Sequence, residues 1–323
     1  MTPPPALAFD GWRDTKDTLH LYAQILGKLR LAATARRNHW WNVTLYVSVR
    51  GFTTGPLHLD DTDFDLELDV VEPGLVARNH KGVVARLDLH DGLGVAGFWH
   101  GAHRLLGDLG VAPELDPRPF GVPMKTSFAE DTEHSAYDPA AVHRFWTVLR
   151  WNQAVFEEFA GWFCGKTSPV HLFWHSFDLA VARFSGRRAP ARPGADPVTA
   201  EAYSHELISF GFWAGDAATP FPAYYSYTSP EPPGLAHHAL RPATAAWQPA
   251  PGDSHLATLP YDDVRTTTDP RTTLLEFLQS AYEAGAASAG WDIAGLATEW
   301  CPVPPIDSRT APEDAAWGTD TPA

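Results

Sequence analysis

Hydrophobic and polar positions follow two different periods along this chain, and the longer period predicts four helices. Apolar residues recur every three or four positions over Asp14–Ala33, which indicates a first helix. Val95–Leu109 has the same spacing and ends before Gly110, a residue type that favours a helix C-terminus. Asp–Pro pairs open two further helices, Asp138–Phe163 and Asp269–Ala289, because Asp caps a helix N-terminus and Pro is accepted in the first turn.

Shorter segments rich in β-branched and aromatic residues predict two groups of antiparallel strands. The predicted strands are Trp41–Thr54, Phe64–Val71, Leu75–Asn79, Val83–Leu89, Val170–Phe184, Glu206–Phe212, Ala223–Thr228, Thr244–Trp247 and His255–Leu259. Groups of strands bounded by helices indicate an α+β fold, with antiparallel sheets and flanking helices. The order helix, strand meander, helix occurs twice, so two similar halves, 14–125 and 126–300, are the alternative to a single large domain over 14–300.

Segments outside these elements are rich in Pro, Gly and polar residues. Residues 1–13 are expected to form a flexible leader and residues 301–323 a flexible tail. Two long irregular stretches, Gly186–Ala202 and Ser229–Pro251, interrupt the second half. Loops of this length inside a domain are usually functional or disordered.

Composition indicates a protein with a substantial core and an excess of aromatic side chains. Hydrophobic residues make up 44% of the 323 positions and aromatic residues 12%. Aromatic side chains beyond those needed for aliphatic packing often line ligand cavities. An aromatic-lined pocket for a small molecule is therefore expected, with an aromatic-rich core as the alternative.

Charge and cysteine content exclude several classes of function. A formal charge of -15 disfavours nucleic acids and anionic membrane surfaces, because binding to polyanions relies on Lys and Arg. The two cysteines, Cys164 and Cys301, are far apart and form no CxxC pair, so no disulfide framework or thiolate zinc site is indicated. The N-terminus lacks the pattern of a signal peptide, which predicts a cytoplasmic protein. Glycine-rich nucleotide-binding motifs are absent from the sequence.

Ser168–Arg188 places polar side chains in an apolar and aromatic segment, where each needs a partner or a function. As one strand, it would hold His171 and His175 on one face about 13 Å apart, with Trp174 on the other. We expect Trp41 and Trp174 to enclose a substrate. Asp178 and Arg183 are expected to form an ion pair or to bind substrate, and Arg187 to hold an anionic group; these candidate binding residues are Trp41, Trp174, Asp178, Arg183 and Arg187.

A second polar cluster precedes the third helix. Glu133 and His134 lie in the sequence EDTEH, where a carboxylate beside an imidazole would tune the histidine for proton transfer. The alternative is an acidic helix lead-in, because acidic residues are favoured near helix N-termini. His205 and Glu206 open a later strand and offer the same pair of groups.

A metal site is a further possibility from residue type alone. His171, His205 and either Glu206 or Asp178 would make a set of two histidines and one carboxylate, which suits iron or zinc. No HExxH spacing supports such a site, so the metal and any other cofactor are left open.

Six motifs together resemble an uncharacterised bacterial family built on a domain of unknown function. They are NHWW, EDTEH, SPVH, FDLAVARFSGRR, PGADP and YSHE, and the resemblance covers Trp12–Trp291. The family implies a shared site without a settled reaction, and its long motif has a small residue where this chain has His175. The resemblance thus moves the catalytic candidates to His134, His171, His205 and Glu206, with Trp41, Trp174 and Arg183 shaping the pocket.

Three hypotheses for function follow from these residues. The first is an enzyme acting on a small, partly aromatic molecule, with acid–base groups drawn from His134, His171, His205, Glu206 and Glu133. The second is a non-catalytic protein that binds a small molecule or serves a structural role. The third is a metal-dependent oxygenase or hydrolase. The oligomeric state is not indicated by the sequence.

Overall fold

Two antiparallel sheets of six strands each form the framework of residues 2–298, the part of the chain described in the computed structural model. The strands are β1 (Tyr46–Val47), β2 (Gly51–Thr53), β3 (Leu57–Leu59), β4 (Thr62–Asp69), β5 (Gly74–Asn79), β6 (Val84–Asp88), β7 (His171–Phe173), β8 (Asp178–Arg188), β9 (His205–Trp213), β10 (Ala223–Ser229), β11 (Ala246–Ala250) and β12 (Ser254–Pro260). The predicted α+β class is confirmed.

Seven α-helices accompany the sheets in the described residues. They are α1 (Arg13–Ala33), α2 (Val95–Asp108), α3 (Pro139–Gly161), α4 (Pro197–Ala202), α5 (Tyr261–Arg265), α6 (Pro270–Ser288) and α7 (Ile293–Leu296). The Asp–Pro pairs begin helices as expected: the Asp138 carboxylate accepts from the Ala140 amide at 2.9 Å, and Asp269 accepts from the Thr272 amide at 3.1 Å. No helix within residues 2–298 has both the length and the apolar character needed to cross a membrane.

The sheets have different strand orders. The first runs β1-β2-β4-β5-β6, with β3 paired to β4, and the second runs β11-β12-β10-β9-β8-β7. Helices α3 and α6 pack on one face of the second sheet, where Phe159 of α3 contacts the Phe210 ring with centroids 4.8 Å apart. The opposite face of this sheet is not covered by α3 or α6. An internal duplication of the chain stays a prediction.

Backbone pairing and a shared core join the two halves. Leu45 and Leu172 exchange backbone hydrogen bonds of 2.9 and 2.8 Å, which links the strands of one half to β7. One cluster of buried hydrophobic side chains takes members from both sheets and from the helices around them. The arrangement of the second sheet therefore depends on contacts with the first half of the chain.

The N-terminal residues, predicted to be a flexible leader, pack on the protein instead. Leu7 and Phe9 are 3% and 4% exposed, and the Tyr261 hydroxyl donates to the Pro5 carbonyl oxygen at 2.7 Å. Burial of two apolar side chains favours an ordered segment over a solvated one. The predicted flexible tail, 301–323, lies outside the described residues.

Two segments of the second half differ from their predicted form. Val170–Phe184 is not one strand but a hairpin of β7 and β8, with His171 opposite Ala180. Its turn contains Phe177 at φ 58°, a conformation that its sequence does not signal, because Gly or Asn is the usual residue there. Gly186–Ala202 is not wholly irregular, because Asp196 caps α4 by accepting from the amides of Val198 and Thr199 at 2.8 and 3.1 Å.

Candidate functional site

A cavity of about 1500 Å³ lies over the face of the second sheet that α3 and α6 leave uncovered. Alternate residues of the strands form its floor, because side chains along a strand point to opposite faces in turn. The floor residues are Asp178, Ala180, Ala182 and Phe184 of β8, Leu207, Ser209 and Trp213 of β9, Ala223, Tyr225 and Tyr227 of β10, and Leu256, Thr258 and Pro260 of β12. The floor is mostly apolar and aromatic, which is typical of small-molecule sites.

The wall of the cavity comes from α4 and from the NHWW segment of the first half. His39 has a positive φ of 56° and is 5% exposed. Its Nδ1 donates to the Ala202 carbonyl oxygen at 3.1 Å, and its Nε2 accepts from Lys166 Nζ at 2.8 Å. The Trp40 indole donates to the Val198 carbonyl oxygen at 3.1 Å, so both residues fasten this segment to α4. Trp41 also lines the cavity, and its predicted contact with a substrate stays a prediction.

Four large apolar side chains surround the opening of the cavity. Leu31, Phe120, Val198 and Phe221 line it and are 49%, 50%, 44% and 47% exposed. These residues come from four separate regions of the chain that meet only in the folded protein. Apolar side chains grouped at a cavity opening are characteristic of sites for apolar ligands.

Asp178 is the buried carboxylate of the cavity floor, at 6% exposure. One of its oxygens accepts a hydrogen bond from the Ser176 hydroxyl and the other from the Tyr225 hydroxyl. Tyr225 reaches Asp178 across β9, where Gly211 lies in register between Ala180 and Tyr225. A Cβ at Gly211 would overlap the Tyr225 ring, so this glycine leaves the space that the contact needs.

Two histidines lie at the same end of the cavity as Asp178. His171 and His175 both contact the Phe173 ring, with centroids 4.5 and 5.2 Å away. Burial, with repulsion from Arg30 and His175, lowers the pKa of His171 from 6.5 to about 3. Burial also lowers the pKa of His175, and the Asp178 carboxylate opposes that shift. Both imidazoles are therefore neutral at pH 7, and the His171 Nδ1 has no hydrogen-bond partner among the described residues.

The turn that carries these groups is held by α1. His20 donates from Nε2 to the Trp174 carbonyl oxygen at 2.9 Å and stacks on Phe177 at 5.0 Å. The Trp174 indole covers Gly27, where any larger residue would collide with it. Trp174 is 6% exposed and lines the cavity. Its predicted role in enclosing a substrate stays a prediction.

The EDTEH cluster, with the catalytic candidates Glu133 and His134, lies at the N-terminus of α2 and not in the cavity. Asp131 is 1% exposed and accepts from the amides of Glu133 and His134 at 3.0 and 3.2 Å. The carboxylate that bonds the His134 ring is that of Asp131, at 2.9 Å from Nδ1. The cluster also contacts a helix other than the one it precedes: the carbonyl oxygens of Asp131 and His134 accept from the Ala96 and Val95 amides of α2, at 2.8 and 3.0 Å.

His205 and Glu206 lie at the start of β9 and Arg187 lies near the end of β8, and none of the three lines the cavity. Glu206 accepts from the Ser185 hydroxyl and from Arg187 Nε, both at 2.9 Å. Arg187 also donates to the Ala289 carbonyl oxygen at the end of α6, at 2.8 Å. His205 bonds Ser204 at 3.1 Å and meets the His39 ring edge-on, with centroids 5.5 Å apart. These contacts hold strand ends and a helix end together.

Arg183 lies on the opposite face of the sheet from Asp178, because five positions separate them along β8. Its guanidinium stacks on Phe159 at 3.5 Å and on Tyr282 at 4.5 Å, between α3 and α6. The predicted Asp178–Arg183 ion pair is thus not formed. Nor are the predicted metal ligands brought together, and no group of three or more His, Cys, Asp or Glu in residues 2–298 is placed to hold a metal ion.

A family model described as a family of unknown function (DUF5996) matches residues 4–298, which is most of the chain. The chain belongs to DUF5996. The predicted relationship to a family of unknown function is confirmed. No curated protein and no solved structure matches the chain.

In this DUF5996 member, the motifs behind the resemblance divide between the cavity and the scaffold. SPVH and FDLAVARFSGRR supply His171 and Asp178, and PGADP caps α4 in the cavity wall through Asp196. EDTEH and most of YSHE instead make the local contacts described above. Some of the polar motifs therefore line the cavity and others make only local structural contacts. Which of the two a motif does depends on where the fold places it.

Sequence reasoning missed several residues that surround Asp178 in this DUF5996 site. Tyr225, Trp213, Phe173 and Ser176 were not among the candidates, although all four line the cavity. The alternation in AYYSYTS places Tyr225 and Tyr227 on one face of β10 and was a usable signal. Trp213 and Phe173 lie beside Asp178 because of the strand register, and no local sequence pattern predicts that register.

Proposed function

We propose that this protein binds a mainly apolar, partly aromatic small molecule in the cavity over the second sheet. The observation that carries the proposal is the sheet face itself, which α3 and α6 leave uncovered and which lines a cavity of about 1500 Å³ with aromatic and small apolar residues. An apolar face of this size would be unfavourable in water without an occupant. The apolar residues at the opening, such as Phe120 and Phe221, support the same class of ligand.

The size of the cavity supports binding of an organic molecule larger than a simple metabolite. Sites for drug-sized ligands usually measure about 300 to 1,000 Å³, and this cavity is larger. The floor is built from small residues, Ala180 and Ala182, between aromatic ones. Small residues between aromatic side chains leave room for a flat ring system.

Nile red, a neutral apolar fluorophore, tests this proposal. We expect saturable 1:1 binding to the wild-type protein, seen as a rise in dye emission. Ala182→Trp places an indole in the cavity and should abolish binding. The matched control is Val84→Trp, which adds the same side chain at a position that is 66% exposed on the first sheet. Equal binding by the two variants, or no binding by the wild-type protein, would refute the proposal.

An acid–base enzyme is the second candidate, favoured by the polar end of the cavity. Asp178 lies close enough to His175 to influence its pKa, and the His171 Nδ1 is buried without a partner among the described residues. A carboxylate beside neutral imidazoles in an apolar site is suited to proton transfer. In such an enzyme His171, His175 and Asp178 would form the acid–base group. The sequence pointed instead to two other pairs, His134 with Glu133 and His205 with Glu206.

Incubation with a cellular metabolite extract separates the two candidates. An enzyme would deplete a compound with time and accumulate a product, both detected by mass spectrometry, and Asp178→Asn would stop the turnover. A binding protein would retain a compound in proportion to its own concentration without changing it. Retention without turnover at any protein concentration would reject the enzyme.

A further inference from the structure

The charge of Asp178 indicates which kind of polar group the ligand carries. Asp178 is buried on the cavity floor and accepts hydrogen bonds from two hydroxyls, those of Ser176 and Tyr225. Both donors are neutral hydroxyls, so they satisfy the carboxylate oxygens without supplying a positive charge. Burial and the nearby carboxylate raise the pKa of Tyr225 well above its ordinary value, so this hydroxyl remains a donor.

No Lys or Arg among residues 2–298 forms an ion pair with Asp178, although the other carboxylates that line the cavity are compensated. Asp116 pairs with Lys28 at 3.5 Å. Asp196 is exposed to solvent at the start of α4, where it also accepts from helix amides. The two histidines beside Asp178 are neutral at pH 7, because burial lowers both of their pKa values. A buried carboxylate with neutral neighbours is costly, and a ligand cation would offset this cost.

The surroundings of Asp178 suit an organic cation rather than a small hydrated ion. In the strand register Asp178 is opposite Phe173 on β7 and Trp213 on β9. Directly opposite residues share a face of the sheet, so two aromatic side chains flank the carboxylate, and Tyr225 bonds it from β10. Aromatic rings around a carboxylate favour an alkylammonium group through cation–π attraction.

We propose that Asp178 binds a protonated amine of the ligand, so that the cavity selects apolar molecules that carry a basic nitrogen. This inference rests on the proposed function, because it names the polar group of the same ligand. The ammonium group donates to the carboxylate oxygens, and the apolar body of the molecule lies over Ala180 and Ala182 toward the opening. Neutral or anionic molecules of the same shape bind more weakly.

Three compounds with one ring system test the inference: naphthylethylamine, naphthylethanol and naphthylacetate. Each displaces Nile red from the wild-type protein, and the displacement gives its Kd. We expect the amine to bind at least about tenfold more tightly than the alcohol, which corresponds to one charge-assisted contact. The acid should bind more weakly than the alcohol, because its carboxylate would face that of Asp178.

Two variants assign the preference to the carboxylate. Asp178→Asn keeps the shape of the side chain and should bring the amine and the alcohol to the same Kd. Tyr225→Phe removes one donor to Asp178 but keeps its charge, so it should retain the preference for the amine. Circular dichroism of each variant checks that the fold is kept.

The outcomes distinguish the two proposals. Failure of the wild-type protein to bind Nile red or any naphthyl compound counts against the binding function itself. Nile red binding with equal Kd values for amine and alcohol overturns only the role of Asp178, and this comparison needs no variant. A preference for the amine that persists in Asp178→Asn likewise overturns it.

Discussion

His171 is a titratable side chain that the fold keeps almost completely from water, at 2% exposure. It lines the cavity, yet its ring nitrogen Nδ1 has no partner among the described residues. Burial lowers its pKa from 6.5 to about 3. Protonation of this group is therefore linked to unfolding, and the linkage gives a measurable effect of pH.

Stability should fall as the pH falls below about 6.5. The unfolded chain binds a proton at His171 near its ordinary pKa of 6.5, whereas the folded protein binds it only near pH 3. At pH 5 this single group lowers the free energy of unfolding by about 2 kcal/mol relative to pH 7. Urea denaturation of the wild type and of His171→Phe, which removes the titratable nitrogens, measures the difference. An unchanged pH dependence in the variant would show that His171 titrates normally.

Asp131 and Glu133 are neighbouring carboxylates with different roles. Asp131 satisfies two backbone amides and the His134 ring, so Asp131→Ala should lower the free energy of unfolding by about 1 to 3 kcal/mol. Glu133→Ala is the matched control and should change stability by less than about 0.5 kcal/mol. Both variants should bind Nile red like the wild type. Loss of dye binding in Glu133→Ala would show that Glu133 takes part in ligand binding after all. Thermal melts and dye titrations are the two measurements.

At the scale of elements, the sequence predicted the four long helices, α1, α2, α3 and α6, and most strands, because their signals are local. The short helices α4, α5 and α7 were not predicted. Periodicity and the Asp138 and Asp269 caps were enough to place α3 and α6. The hairpin of β7 and β8 was missed because its turn, around Phe177, contains no Gly, Pro or Asn. The candidate site was predicted only in part, because adjacent polar residues such as Glu133 and His134 serve local contacts. The partners of Asp178 come instead from neighbouring strands.

Gly211 links strand packing to the site. A Cβ added at Gly211 would overlap the Tyr225 ring, so Gly211→Ala should move the Tyr225 hydroxyl away from Asp178. The affinity for naphthylethylamine should change at least about threefold as a result. The control is Gly107→Ala in α2, where an added Cβ meets nothing within 4 Å. That substitution should stabilise the protein by roughly 0.5 to 1 kcal/mol without altering affinity. Equal affinity in the two variants would show that the Tyr225 contact is unimportant for binding.

At the scale of the whole molecule, the cavity is assembled from both halves of the chain. The second sheet forms the floor, whereas Trp40, Trp41 and Phe120 of the first half contribute the wall and the opening. The shared hydrophobic core fixes these parts relative to one another. Because the ligand would contact both halves, its binding should stabilise the complete fold.

A bound ligand should therefore raise the melting temperature. Naphthylethylamine at a hundred times its Kd adds about 2.7 kcal/mol, which for a chain of this size corresponds to a rise in Tm of about 4 °C. Ala182→Trp, with its cavity filled, should show no shift at the same concentration. A similar rise in that variant would place the ligand elsewhere on the protein. Differential scanning fluorimetry provides the comparison.

The most direct test of the account is a crystal structure of the protein with naphthylethylamine. We predict the naphthalene rings over Ala180 and Ala182, and the amine nitrogen about 3 Å from an Asp178 carboxylate oxygen. An empty cavity at a saturating concentration, or the compound bound only at another surface, would contradict the central claim that this sheet face is a ligand-binding site.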